Sequence, residues 1–209
     1  MINLLVDKFI KPVMSAHGFR KDKFTWNRGK TDIIHMLDIQ QSQWNSKDDI
    51  SFTINVGACV MRERQIFNGG KEIPRFIHEI NCFPSVRVGH LLCEKGRFKD
   101  IWWELKSLND IDIVGKELEA IIQNKCIPFL DNLDSMDKVI TFTENEIINR
   151  YTHPGALISY AILKYLNHSP EEANKILNPM LADNKGKFWH NKVKEVLDRL
   201  NNLPIEIKN

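Results

Sequence analysis

Two histidines and two cysteines fall within sixteen residues near the middle of the chain, and such side chains can bind zinc. Their spacing is His78-x3-Cys82-x7-His90-x2-Cys93, and imidazole and thiolate are the usual ligands of structural Zn²⁺. The two cysteines lack the short spacing of a zinc knuckle. A strand over Ser85–Leu92 would also hold Cys82 and His90 too far apart for tetrahedral coordination. The pattern favours buried thiols and surface histidines, so we expect no metal site and no cofactor.

A second set of polar side chains lies on two adjacent segments in which apolar and polar residues alternate. Asp38, Gln40 and Ser42 share one side of the first predicted strand. Thr53 and Asn55 share one side of the second. If these two sides coincide, the apolar residues opposite them fix the register, because a slip of one residue would bury the polar set.

Arg87 could add a cation to this polar face. Its guanidinium can form paired hydrogen bonds to Asp38, or to the carboxylate or phosphate of a ligand. The C-terminal helices could instead cover the face, with its polar groups bonded to one another. We predict a binding surface, at least partly open to solvent, with these members: Asp38, Gln40, Ser42, Asn55 and Arg87.

The chain carries no motif typical of an enzyme family. P-loop, dinucleotide-binding, HExxH, nucleophile-elbow and protein-kinase patterns are all missing from the sequence. The acidic pairs Glu117/Glu119 and Glu144/Glu146 fall on segments predicted to be exposed, where solvated charge is the ordinary role. The partners of a Cys–His nucleophile pair need not be close in sequence. A hydrolase-like enzyme with an unidentified site therefore stays an alternative.

The stretch 18–30 mixes basic and aromatic residues in the manner of a single-strand nucleic-acid surface. Its sequence is GFRKDKFTWNRGK, and cations with stacking rings bind phosphates and bases. The aromatic residues alternate with the charges, however, so Phe24 and Trp26 are expected to face the core. The whole-chain charge of +2 is small for binding dominated by phosphate contacts. Nucleic-acid binding is thus an alternative function.

The composition is that of an ordinary globular chain in a reducing compartment. Of 209 residues, 43% are hydrophobic and 27% charged. The four cysteines form no CxxC pair and are too few for a disulfide scaffold. Asp7 and Lys8 interrupt the apolar start, and no run approaches the ~20 apolar residues of a membrane span. We expect a soluble, cytoplasmic protein without a membrane partner.

The elements that must position these residues predict an α+β fold. A helix over residues 2–16, bent at Pro12, precedes a short strand and two long antiparallel strands within 31–63. A second helix begins near Leu108 and is expected to stop at Pro128. We predict an antiparallel sheet of about four or five strands covered by helices, forming an α+β domain over residues 1–133.

Three helices are predicted in residues 147–209, docked on that domain. Pro154 and the capping box Ser169-Pro170-Glu171-Glu172 mark two helix starts, whereas Pro179 should kink or divide the second helix. A third helix follows Gly186. The run AILKYLNHSPEEANKIL resembles a tetratricopeptide-type helical hairpin, although three repeats are usually needed for a free-standing array.

Several short segments over roughly residues 3–130 resemble a bacterial domain-of-unknown-function family, number 4304. The resemblance implies a compact α+β domain and no assigned activity. The matching segments are Gly18-Phe19-Arg20-Lys21 with Phe24 and Trp26, Asp38-Ile39-Gln40-Gln41-Ser42 with Trp44, Phe52-Thr53-Ile54-Asn55-Val56-Gly57, Arg87-Val88-Gly89, and Trp102-Trp103-Glu104-Leu105.

A binding or interaction protein is the function class that these observations favour. Helical hairpins offer contact surfaces, and a polar sheet face supplies directional hydrogen bonds. The expected partner is another protein, and a regulatory or toxin-neutralising role is one concrete form.

Overall fold

The structure is a computed structural model that describes residues 1–30, 32–93, 98–148, 153–182 and 187–203. Two residues used in the predictions lie outside these ranges: Thr31, at the start of the predicted strands, and Gly186, before the third C-terminal helix. The chain divides into two compact units. The sheet unit comprises Met1–Ala58 and Phe76–Asn132, and the helical unit comprises Cys59–Arg75 and Leu133–Asn209.

The described residues form a six-stranded sheet, in which the pairs β1–β2, β2–β3, β4–β5 and β4–β6 are antiparallel. The strand order is β1-β2-β3-β4-β5, and β6 pairs with β4 beside β5. The α+β prediction is confirmed, with one strand more than the four or five expected. The strands are β1 Arg20–Asp22, β2 Thr25–Lys30, β3 Ile33–Gln41, β4 Ile50–Val60, β5 Ser85–Arg87 and β6 Trp103–Leu105.

Strict alternation gives the sheet an apolar face and a polar face. Trp26 lies opposite Leu37 on one face, and Thr25 lies opposite Asp38 on the other. The side chains of the apolar face are buried, and they include Trp26, Leu37, Phe52, Ile54 and Val56.

Helices account for most of the remaining described residues. Two of them contain a π-helical turn between α-helical parts: α1 spans 2–16 and α4 spans 108–131. The others are α2 Met61–Asn68, α3 Val88–Leu92, α5 over 136–148, α6 Pro154–Leu166, α7 Pro170–Ala182 and α8 Lys187–Asn201, with a 3₁₀ turn at Glu79–Asn81.

Two prolines, Pro12 and Pro128, directly follow a π-helical turn inside helices that continue past them. In α1 the N–H of Lys11 bonds five residues back to Val6, immediately before Pro12. In α4 the N–H of Ile127 bonds five residues back to Ile122, immediately before Pro128. A proline ring clashes with the carbonyl four residues earlier, and the wider π turn moves that carbonyl away. The predicted stop at Pro128 is therefore wrong.

Other local expectations also differ from the structure. Helix α7 is continuous through Pro179 rather than divided. Residues Ser85–Leu92 form a three-residue strand followed by α3, where a single strand was expected. Helix α2 begins at Met61, inside the stretch 31–63 that was expected to hold the two strands, and Gly69 ends it in a left-handed cap. Short apolar runs fit either period, so their type depends on tertiary contacts.

The helical unit has its own apolar core. Helices α6, α7 and α8 supply most of it, and Ile66 of α2 joins them. The carbonyl end of α2 accepts hydrogen bonds from two cations of α8, Lys192 and Arg199. Positive charges at this end stabilise α2, because it is the negative end of the helix dipole. None of the described helices is long and apolar enough to cross a membrane.

Candidate functional site

The predicted polar residues of three strands share the polar face. Asn55 Nδ2 donates to Gln40 Oε1 at 3.0 Å, which joins β3 to β4 across the strand pair. Arg87 lies directly opposite Asn55 on β5. Asp38 is on the same side, two residues before Gln40. Ser42 lies past the end of β3, where its hydroxyl accepts the Trp44 N–H at 3.2 Å and shapes the hairpin turn.

One segment of the sheet unit, residues 76–84, crosses this face over β2 and β4. The amide of Asn27 bonds the N–H and the carbonyl of Ile77, at 2.6 and 2.9 Å. At its other end the segment passes directly over Gly57, where a Cβ would lie 2.7 Å from the Pro84 carbonyl oxygen. Glycine at this strand position allows the close approach.

A second segment, residues 98–102, crosses the face near β4 and β5. Thr53 Oγ1 donates to the Ile101 carbonyl at 2.8 Å. The Lys99 carbonyl oxygen rests on Gly89, where a Cβ would lie 1.8 Å away. The glycine of the Arg87-Val88-Gly89 triplet thereby lets this segment bring Asp100 next to Arg87.

Arg87 forms an ion pair with Asp100, which sequence reasoning did not identify. Its Nη1 contacts the two carboxylate oxygens at 2.6 and 2.7 Å, and its guanidinium lies 5.3 Å from the centre of the Trp102 ring. Trp102 Nε1 also donates to Asp100 at 3.0 Å. Hydrogen bonds from Arg87, and then from Trp102, lower the pKa of Asp100. The suggested pairing of Arg87 with Asp38 does not occur.

Asp38 instead belongs to a relay with Thr25 and His78. Thr25 Oγ1 lies 2.5 Å from Asp38 Oδ1 and 3.1 Å from His78 Nδ1. A hydroxyl has one hydrogen, and the charged carboxylate is the stronger acceptor. When Thr25 donates to Asp38, His78 must donate from Nδ1, which leaves its Nε2 as an acceptor on an exposed ring. In the neutral ring, Nε2 can then accept a hydrogen bond from a ligand.

The polar face is only partly covered. Gln40 is exposed, and 31% of the Arg87 side chain is accessible. Thr53 and Asn55 are buried beneath them. The two crossing segments each present an exposed apolar side chain, Ile80 at 81% and Phe98 at 53%.

The basic stretch 18–30 has its aromatic rings turned mostly inward. Phe19 and Trp26 are buried, and Phe24 is half-buried. Lys21 lies over the Trp26 ring and contacts Asp7 at 3.4 Å. The exposed part of this stretch is therefore charged and offers little aromatic surface for base stacking.

The candidate zinc residues do not form a cluster in the part of the chain that is described. No group of three His, Cys, Asp or Glu side chains there is placed to hold a metal ion. Cys82 Sγ donates to the His78 carbonyl oxygen at 3.7 Å. All four cysteines are free thiols.

The helical unit contains one buried carboxylate, Glu63 at the start of α2. Its side chain is fully inaccessible, and Arg64 Nε approaches it only to 3.7 Å. Among the described residues, neither of its oxygens has a hydrogen bond of good geometry. Burial raises the pKa of Glu63 to about 6, while the Arg64 charge and the Ser159 hydroxyl lower it by less.

Fold and site together define a class: an α+β domain whose antiparallel sheet has one sealed apolar face and one partly open polar face. The chain belongs to the family described as Domain of unknown function (DUF4304), which matches residues 10–132. That match covers nearly all of the sheet unit. Comparison with curated proteins and with solved structures gave no match.

Proposed function

We propose that this protein binds another protein through the polar face of its sheet. The observation that carries the proposal is the accessible pair Gln40 and Arg87 on the polar face; the two crossing segments also carry the exposed apolar side chains Ile80 and Phe98. Protein interfaces combine apolar anchors with directional polar groups, and arginine and aromatic residues contribute most to their affinity. The sheet unit exposes both kinds of group.

A regulatory or toxin-neutralising role in the cytoplasm is the concrete form of this proposal. Three of the four free thiols are buried, which suits a reducing compartment. The basic stretch 18–30 offers nucleic acid little, because its aromatic rings are turned mostly inward. Catalysis has less support, because the hydroxyl that lies beside His78 is that of Thr25, which is buried and bonds Asp38.

Affinity purification from the native cell tests the proposal with matched variants. We expect wild-type protein to capture a partner that Gln40→Ala and Ile80→Ser lose. The control is Ile113→Ser, which removes an equally apolar side chain, 70% exposed, on α4. Ile80→Ser and Ile113→Ser should keep wild-type thermal stability, because both residues are exposed. Gln40→Ala removes the acceptor of the buried Asn55 amide and should cost about 1–3 kcal/mol of unfolding free energy, so its capture is measured well below its melting temperature. Capture that survives both face variants, or that Ile113→Ser abolishes equally, contradicts the proposal.

A further inference from the structure

The polar face has more hydrogen-bond donors than acceptors around Gln40. Arg87 has only donors, so the Gln40 atom at 3.4 Å from its Nη2 must be the oxygen. The same oxygen accepts from Asn55, which fixes the orientation of the Gln40 amide. Gln40 Nε2 is therefore turned away from both neighbours. Among the described residues, nothing accepts a hydrogen bond from Gln40 Nε2 or from Arg87 Nε.

The donors are also held in place before any ligand arrives. Backbone pairing of β4 with β5 sets Arg87 opposite Asn55. The Trp102 ring and the Asp100 carboxylate restrict the guanidinium on two further sides. Because these groups are already ordered, binding costs less side-chain entropy than it would for a free surface arginine.

We propose that Gln40 and Arg87, braced by Asn55, form a carboxylate-binding subsite for an acidic side chain of the partner protein. A carboxylate accepts hydrogen bonds only and matches the planar fork of arginine. This inference rests on the proposed function and names the chemistry of the partner. Asp100 occupies the Nη1 atom of the guanidinium, so the incoming carboxylate bonds Nη2 or Nε together with the Gln40 amide.

Asp100 also sets the strength of this subsite. Its charge balances that of Arg87, and it repels a second anion. The subsite therefore selects by geometry and hydrogen bonding more than by net charge. A lysine at position 87 would keep the positive charge but lose the planar fork, so Arg87→Lys separates the two contributions.

A peptide titration followed by NMR tests the subsite without knowing the partner. The probes are a capped hexaglutamate peptide, a hexaglutamine peptide of equal length, and inorganic phosphate. We expect hexaglutamate to shift the side-chain signals of Gln40, Asn55 and Arg87. Arg87→Gln, Arg87→Lys and Gln40→Glu should each weaken that binding by about tenfold or more. Gln40→Glu changes an exposed side chain, so we expect it to fold. It therefore tests the subsite even if Arg87→Gln fails to fold.

Arg20→Gln is the matched control, because it removes the same charge from an exposed arginine of β1. If Arg20→Gln weakened hexaglutamate binding as much as Arg87→Gln does, the peptide would be held by diffuse charge attraction, and the subsite would be overturned. Shifts with phosphate of the same affinity, or with hexaglutamine, would overturn the carboxylate assignment. If hexaglutamate does not bind while Gln40→Ala still loses the captured partner, the subsite fails and the proposed function survives. If hexaglutamate binds but the face variants still capture the partner, the subsite survives and the proposed function fails.

Discussion

Arg28 and Arg87 stand on opposite faces of the same sheet and have opposite surroundings. Arg28, on the apolar face, is 12% accessible and contacts His35 at 3.0 Å and Asp131 at 2.5 Å. It also donates to the His17 carbonyl and stacks 4.5 Å from the Phe19 ring. Arg87 stacks on an aromatic ring too, but its partner Asp100 is almost half exposed and its fork keeps unbonded donors.

The histidine on each face differs in the same way as the arginine: His35 is buried and hydrogen-bonded to Arg28, whereas the ring of His78 is exposed. Because arginine only donates, His35 Nδ1 must accept from Arg28, and that ring is fully buried. His78 Nδ1 donates when Thr25 bonds Asp38, and its ring is exposed. The apolar face thus uses its polar groups to join helix ends to the sheet. The polar face keeps some of its groups for solvent or a ligand.

The largest effect should come from crowding the sealed face. A Cβ on Gly115 of α4 would lie 2.1 Å from the Phe9 ring of α1. We expect Gly115→Ala to lower the free energy of unfolding by about 2–3 kcal/mol, because a packed core relaxes poorly. Urea denaturation measures this. Gly29→Ala, with no atom within 4 Å of the new carbon, is the control and should change stability by less than about 0.5 kcal/mol. Equal costs would show that the α1–α4 contact yields easily.

Removing each arginine compares the faces directly. Arg28→Ala removes the donor that bonds the buried His35 Nδ1 and should cost about 2 kcal/mol of unfolding free energy. Arg87→Ala frees an exposed carboxylate that water can solvate, so its cost should stay below about 1 kcal/mol. Denaturation curves of both variants give the difference. A larger loss for Arg87→Ala would break the distinction between a structural and a recognition arginine.

Glu63 shows what burial costs when partners are poor. Its folded-state pKa of about 6 lies above the ordinary 4.5, so the folded chain holds a proton that the unfolded chain releases. Stability from this group is complete below pH 4.5 and declines as the pH rises to 6. Glu63→Gln should therefore stabilise the protein at pH 7.5 by roughly 1–2 kcal/mol and have little effect at pH 4. Thermal unfolding at the two pH values checks this, and destabilisation at pH 7.5 would refute it.

The smallest effect is expected at Asp100. Its pKa is lowered by Arg87, so its stabilising contribution is present above the ordinary value of 3.8 and is lost as the pH falls through the lowered one. Asp100→Asn should cost well under about 1 kcal/mol at neutral pH, because the pair is exposed and screened. The difference from wild type should shrink on acidification. A pH-independent difference would point to a packing role for this side chain.

The sequence alone predicts the alternating parts of this fold well. Period-two alternation in β3 and β4 was enough to place Asp38, Gln40 and Asn55 on one face. It could not supply Asp100 or His78, because their contacts depend on where two irregular segments cross the sheet; the contact of Thr25 with Asp38 depends on the register of β2 against β3. The useful signal was glycine: Gly57 and Gly89 mark the points where those segments approach most closely.

The helix ends were harder to predict for a different reason. A proline inside a helical pattern usually ends the helix, and this led to the wrong stop at Pro128. The π turn that lets the helix continue is a backbone hydrogen-bond arrangement that the residue types do not reveal. The strand expected at Ser85–Leu92 became strand and helix because a short apolar run suits both periods. Tertiary contacts decide such cases.

The π turns before Pro12 and Pro128 also indicate where related sequences can gain or lose a single residue. Each turn closes five residues back instead of four, so it carries one residue more than a regular turn. Deleting one residue within Val6–Ile10 restores the regular spacing and keeps the orientation of both ends of α1, provided that Pro12 is also replaced, because its ring would clash with the carbonyl of a regular turn. The same deletion elsewhere would rotate one end by about 100° and turn its apolar side away. Single-residue gaps between relatives are therefore best tolerated at these two turns.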